Sequence, residues 1–90
     1  MTMDDDTIER VWNKGREIPR RDPDTTRADA CGTEMNRDDY GDRNSAQGWE
    51  IDHKDPNGGD DLSNLQPLQW ENNNKKSDGK LKCSCSNEED

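Results

Sequence analysis

The sequence predicts one small α+β domain, and three observations carry that reading. Apolar residues make up only 23% of the 90-residue chain, with no Phe, and the mean hydropathy is −1.63. So little apolar area cannot build a large core. What there is crowds together, because Trp49, Ile51, Leu62, Leu65, Leu68 and Trp70 all fall between positions 49 and 70. Within that stretch an alternating segment and a second short apolar segment precede one that reads as a helix.

Taken in order, Ile8, Val11 and Trp12 stand at i, i+3 and i+4, the face of a short helix. Asp6 or Thr7 is its expected N-cap and Gly15 its end. Residues 18–27, IPRRDPDTTR, contain two prolines and no hydrophobic period, so they read as an extended connector. Arg16, Arg20, Arg21 and Arg27 make this the most arginine-rich segment; a solvated loop is favoured over a DNA-binding arm. Residues 28–48 carry a Cys-Gly step at 31–32, the lone Tyr40 and the polar loop GDRNSAQG.

Trp49-Glu50-Ile51-Asp52-His53 then alternates apolar and polar, a short strand with Trp49 and Ile51 on its buried face. Pro56 and Gly58-Gly59 end it. From Leu65 to Leu68 runs a second apolar segment, which Pro67 confines to an edge or a turn. Residues 69–77, QWENNNKKS, read as a helix stopped at Gly79, with lysines near its C-terminal end where the helix dipole favours them. Three consecutive asparagines are poor helix formers. Their presence mid-helix points to at least one whose side chain is needed. The chain thus divides into a helix and extended arm over 1–27, a core over 28–79, and an acidic tail over 80–90 that is expected to be disordered.

Charge restricts the function classes. The net charge is −9, which disfavours generic nucleic-acid binding. Yet Lys75, Lys76, Lys80 and Lys82 against Asp78 leave a local basic patch just past the apolar cluster. Aspartate outnumbers glutamate 15 to 7, as in a salt-adapted protein or an acidic surface that imitates DNA. No apolar run has signal-peptide or membrane length, so no membrane partner is expected. Three cysteines, an odd number, do not make a disulfide framework, and a reducing cytoplasm is the expected compartment.

The single histidine, His53, directly follows Asp52 at the expected strand end. The run EIDHKDPNGGDDLSNLQPLQWENNNKKSD resembles the HNH endonucleases. It matches their Asp-His, Gly-Gly-x-Asp, Asn-Leu-Gln-x-Leu and Asn-x-x-Lys steps at family spacing. The likeness is clearest over residues 49–78 and extends upstream to about Ile8. It implies a small ββα-metal fold, with a short N-terminal helix and irregular connectors, and metal-dependent hydrolysis of phosphodiester bonds in duplex or nicked DNA.

That chemistry needs a base for the attacking water and a cation for the developing charge. His53, the single histidine, is the one side chain here of a type that serves as a base near neutrality. By the resemblance His53 is the general base, Asp52 and Asn73 hold one Mg²⁺ or Mn²⁺, and Asn64 ties down the loop that orients the histidine. Lys75 and Lys76 are candidate phosphate contacts. Neighbours on an ideal strand face opposite ways, so Asp52 and His53 share a site only if the strand twists or bulges there.

Two departures from the family stand out. Its two Cys-x-x-Cys pairs are reduced to Cys31 with Glu34, and to Gln69 with Asn72, so no structural zinc is expected. Asn73 stands where many members have histidine, which moves the metal preference toward Mg²⁺ or Mn²⁺. Two rival readings remain: a catalytically silent nucleic-acid-binding module of the same type, and an acidic DNA mimic.

Overall fold

The computed structural model describes residues 4–76. Gly79, the 80–90 tail, Lys80, Lys82, Cys83 and Cys85 lie outside them. Helix α1 spans Asp5–Trp12. Its N-cap is Asp4, two residues before the earliest expected position, and the Asp4 carboxylate accepts the Thr7 N–H at 2.8 Å. That hydrogen bond holds the Asp4 carboxyl below the usual carboxylate range. Asp5 and Asp6 fill the first turn, where the helix dipole favours negative charge. The other face buries Val11 and Trp12 completely or nearly so.

A three-stranded antiparallel sheet follows: β1 (Arg16–Glu17), β2 (Thr26–Ala28) and β3 (Glu34–Asn36), in that spatial order. The sequence reading treats most of this region as connector. Strands of two or three residues are too short to display an alternating period. Arg27 corrects that reading most directly, since it is buried instead of solvated. Its Nε donates to the Pro23 carbonyl, and its Nη1 donates to the carbonyls of Asn13 and Gly15. The guanidinium therefore fastens the end of α1 to β2.

Strands β4 (Trp49–His53) and β5 (Leu65–Gln69) form a second, two-stranded antiparallel sheet. Its register runs from Trp49 opposite Gln69 to His53 opposite Leu65. Pro67 sits opposite Ile51, which is tolerated because, among the described residues, β5 has β4 as its only sheet neighbour. Helix α2 (Trp70–Lys75) follows β5 directly, capped by the Gln69 side chain. The molecule is therefore α+β, with two small antiparallel sheets.

Val11, Trp12, Met35, Trp49 and Leu65 form the core, with Ile8 and Ile51 packed against it. The Trp12 and Trp49 rings lie 5.2 Å apart, and Tyr40 meets Trp49 edge-on at 4.9 Å. Residues 49–70 thus supply only part of the core, and Leu62 from that stretch is exposed. Each indole N–H finds a loop carbonyl: Trp12 on Pro23, Trp49 on Arg37, Trp70 on Ser45. Gly48 has a steric reason to be glycine, because a Cβ there would lie 1.8 Å from the Asp42 carbonyl oxygen. Among the described residues, no helix is long and apolar enough to cross a membrane.

Candidate functional site

The pleat of β4 sends Trp49 and Ile51 toward the core and Glu50 and Asp52 toward α2. Two α2-side residues meet them. Asn73 Nδ2 donates to Glu50 Oε1 at 2.9 Å, and Lys76 Nζ reaches both Asp52 oxygens, at 3.0 and 2.8 Å. Asn73 and Lys76 are three residues apart, about 4.5 Å of helical rise. Glu50 and Asp52 are two apart, roughly 6.7 Å of strand, which the longer lysine side chain bridges.

Glu50 also accepts a two-pronged contact from Arg43, at 2.7 and 3.0 Å. The hydrogen bond from that guanidinium holds the Glu50 carboxyl below its ordinary range, helped by the Asn73 amide and opposed by partial burial.

Asp52 is 8% exposed. Besides Lys76 it accepts Gln66 Nε2 at 2.9 Å, from the residue directly opposite it in the sheet. Lys76 donates further to the backbone carbonyls of His53 and Lys54. Lys75, by contrast, is exposed. Of the two lysines considered for phosphate, one faces solvent and the other is committed to Asp52.

His53 terminates β4, still in regular register with Leu65. No bulge turns it toward the Asp52 side. Its Nε2 lies 2.6 Å from Asp60 Oδ1. A carboxylate accepts, so in the neutral imidazole this contact places the hydrogen on Nε2 and the lone pair on Nδ1.

The loop that carries Asp60 is fastened by Asn64. Asn64 Oδ1 accepts the Asp55 N–H at 3.0 Å, and its Nδ2 donates to the carbonyls of Asp55 and Gly59 at 3.1 and 2.9 Å. A Cβ on Gly58 would sit 2.7 Å from Asn64 Nδ2, so glycine lets the amide approach. Asp60 was missed in the sequence, although its place after Gly58-Gly59 in the loop leading back to His53 was the available signal.

A second polar cluster lies behind the start of α2. Asp29, Gln69 and Asn72 are each 2% exposed. Asp29 Oδ1 accepts the N–H groups of Cys31 and Thr33, and its Oδ2 accepts the Gln69 N–H and Asn72 Nδ2, all at 2.9 to 3.0 Å. Asn72 Nδ2 also reaches Thr33 Oγ1. Gln69 Oε1 caps the helix at the N–H groups of Glu71 and Asn72. Gln69 and Asn72 therefore converge on Asp29, while Glu34 is turned to Arg21 and Gln47. Of the three asparagines in α2, Asn72 is the buried one.

Asp52 and Asn73, as arranged, do not fit a single divalent cation, since Lys76 and Gln66 engage the Asp52 carboxylate and Asn73, whose Nδ2 serves Glu50, offers only one neutral oxygen. Among the described residues, no group of three or more His, Cys, Asp or Glu side chains is placed to hold a metal ion. What the arrangement offers instead is an oriented imidazole at an exposed strand end, beside a neutralised carboxylate. No family model, curated protein or solved structure matches the chain.

Proposed function

We propose that the protein is an HNH-type endonuclease that hydrolyses DNA phosphodiester bonds, with β4, β5 and α2 as its ββα unit and His53 as general base. The observation that carries this reading is the His53–Asp60 contact at the end of β4, which in the neutral imidazole gives Nδ1 the lone pair that takes a proton. A water in line with a bound phosphate gives its proton to Nδ1 as its oxygen attacks phosphorus. Asp60 stabilises the imidazolium that forms, and Asn64 keeps the loop carrying Asp60 in place. The leaving 3′- or 5′-oxygen departs as the pentacovalent centre collapses and takes a proton from solvent water, and the imidazolium returns its own proton to solvent. The resemblance supports the substrate class through the Asp-His, Asn-Leu-Gln and Asn-x-x-Lys steps. It also implies Mg²⁺ or Mn²⁺, which the present engagement of Asp52 and Asn73 does not support.

The ion pair between Lys76 and Asp52 favours a second reading, a DNA-binding module of the same type that does not cut. A plasmid-nicking assay with Mg²⁺, with Mn²⁺ and with chelator separates the two. The endonuclease reading expects nicked circles from wild type and none from His53→Ala. DNA binding without nicking under every condition would select the silent module. Neither binding nor nicking would remove both.

A further inference from the structure

In a chain of net charge −9, the cations without a carboxylate partner are informative. Arg10, Arg21, Arg37, Arg43 and Lys76 are each paired with an acidic side chain. Lys14, Arg16, Arg20, Arg27, Lys54 and Lys75 form no ion pair among the described residues, and three of them, Lys14, Arg16 and Lys54, line one open cavity of about 180 Å³. The cavity lies along the seam between the two sheets. Lys14, Gly15 and Arg16 form one wall, Ala28 and Asp29 another, and Gln66, Pro67 and Lys54 the side nearest the hairpin.

The one acidic residue in the lining, Asp29, is 2% exposed and already accepts four N–H groups. It leaves the cations available. Lys14 is held in place, its Nζ donating to the carbonyls of Leu62 and Leu65, both at 2.6 Å. Partial burial, and secondly the nearby Lys54 charge, push the Lys14 ammonium below its usual range. Small residues elsewhere in the lining leave room for a ligand of some bulk.

The cavity also adjoins the histidine end of β4. Lys54 is the residue after His53, about 3.8 Å away at Cα. Gln66 lines the cavity while its side chain holds Asp52. An acidic protein approaching a polyanion needs its positive charge concentrated where contact is made, and Arg presents a fork that matches phosphate oxygens.

We propose that this cavity seats a backbone phosphate of the DNA strand, next to the phosphate presented to His53 and gripped by Lys14, Arg16 and Lys54. The proposal rests on the endonuclease reading for its substrate and adds the place where the strand is held.

The test is fluorescence anisotropy with a labelled nicked duplex in chelator, so that binding is read without cleavage. Wild type is compared with Arg16→Ala, Lys54→Ala, and Arg10→Ala on the exposed face of α1, which removes the same charge elsewhere. Each cavity variant should weaken binding roughly tenfold at low salt and lower the slope of log affinity against log salt by about 1, with Arg10→Ala close to wild type.

Wild-type binding with all three variants alike would overturn the cavity and leave the endonuclease reading standing. No binding by wild type, together with no nicking, would overturn both. A second arm measures melting with inorganic phosphate at constant ionic strength. Stabilisation by phosphate that is lost in Lys54→Ala, without any DNA binding, would show a site for free phosphate and overturn the assignment to a strand.

Discussion

Asp29 and Asp52 are both buried carboxylates, 2% and 8% exposed, but their charges are compensated in opposite ways. Asp29 accepts three backbone N–H groups and one side-chain amide, all neutral and all fixed by β2, the following turn and the start of α2. Asp52 is met by an ammonium on a flexible stem just past the last turn of α2, and by one amide. Fixed dipoles bind a carboxylate as part of the fold, since none can leave without unfolding its neighbours. Lys76 is a single charged partner, its side chain only 9% exposed and bound to the Asp52 carboxylate and two backbone carbonyls. The difference separates a carboxylate compensated by several neutral dipoles from one whose compensation rests on one buried counter-charge.

The largest effect expected is on the exposed side of that division. His53→Ala should reduce DNA nicking about 10²- to 10⁴-fold, the usual consequence of losing a general base. The ring is 36% exposed at the strand end, so the melting temperature should move little. Nicking assays and thermal melts on the same preparation check both halves. A variant that cuts at nearly the wild-type rate would remove His53 from the chemistry.

Next come the two carboxylates themselves. Asp29→Ala leaves buried N–H groups without an acceptor and should cost about 3 kcal/mol or more, a large share of so small a domain's stability. Asp52→Asn should also cost about 3 kcal/mol, because it leaves the buried Lys76 ammonium without its counter-charge, but that loss should be largely relieved in Asp52→Asn combined with Lys76→Met. Asn72→Ala should follow Asp29, and Asn73→Ala, which loses one hydrogen bond to Glu50, should cost about 1 kcal/mol. Urea titrations of these variants measure the differences. A double variant no more stable than Asp52→Asn would erase the distinction.

Much of the hairpin and of α2 was legible before any coordinates. Trp49 and Ile51 alternate with polar neighbours, Pro67 belongs on an edge, and three asparagines sit where a helix would not choose them. The first sheet was not legible, because its strands carry two or three residues each and are ordered by the Arg27 guanidinium, a contact that no local pattern announces. For the same reason Asp29 was invisible: its partners lie 40 and 43 positions away in Gln69 and Asn72. The candidate base was visible as a lone histidine beside an aspartate. Its partner Asp60 was hidden by loop closure, and Lys76 looked like a surface lysine because its reach to Asp52 depends on how α2 lies across β4.

A smaller effect should appear on acidification. Glu50 titrates below its unfolded value because Arg43 and Asn73 favour its charged form. Its contribution is therefore present above the ordinary glutamate range, near pH 4.3, and is lost as pH falls through the depressed folded value. Glu50→Gln should remove that part of the acid sensitivity, about 0.5–1 kcal/mol for a partly exposed pair. Melts of both proteins from neutral pH downward check it, and parallel curves would deny the pair any net role.

Salt should act in the opposite direction from its usual effect on ion pairs. Screening weakens attraction and repulsion alike, so the sign of the outcome depends on which is larger. The paired arginines lie mostly at the surface, where such contacts contribute little. Against them stand Asp38, Asp39 and Asp42 before β4, and Asp55, Asp60 and Asp61 in the loop after it, in a chain of net charge −9. Repulsion among these aspartates reaches about 10 Å at 0.1 M salt but only about 3 Å at 1 M. Raising KCl should therefore stabilise the fold, most where the loop carrying Asp60 crowds acidic side chains near His53. A gain of the order of 1 kcal/mol would raise the melting temperature by about 4–8 °C. DNA nicking should pass through an optimum, because the cations that meet phosphate lose affinity as salt rises while the surrounding aspartates repel less. Melts and nicking rates from about 0.05 to about 2 M KCl at fixed divalent cation measure both. If stability and rate fall together from the lowest salt upward, the acidic surface is not an adaptation to salt and the aspartates have another purpose.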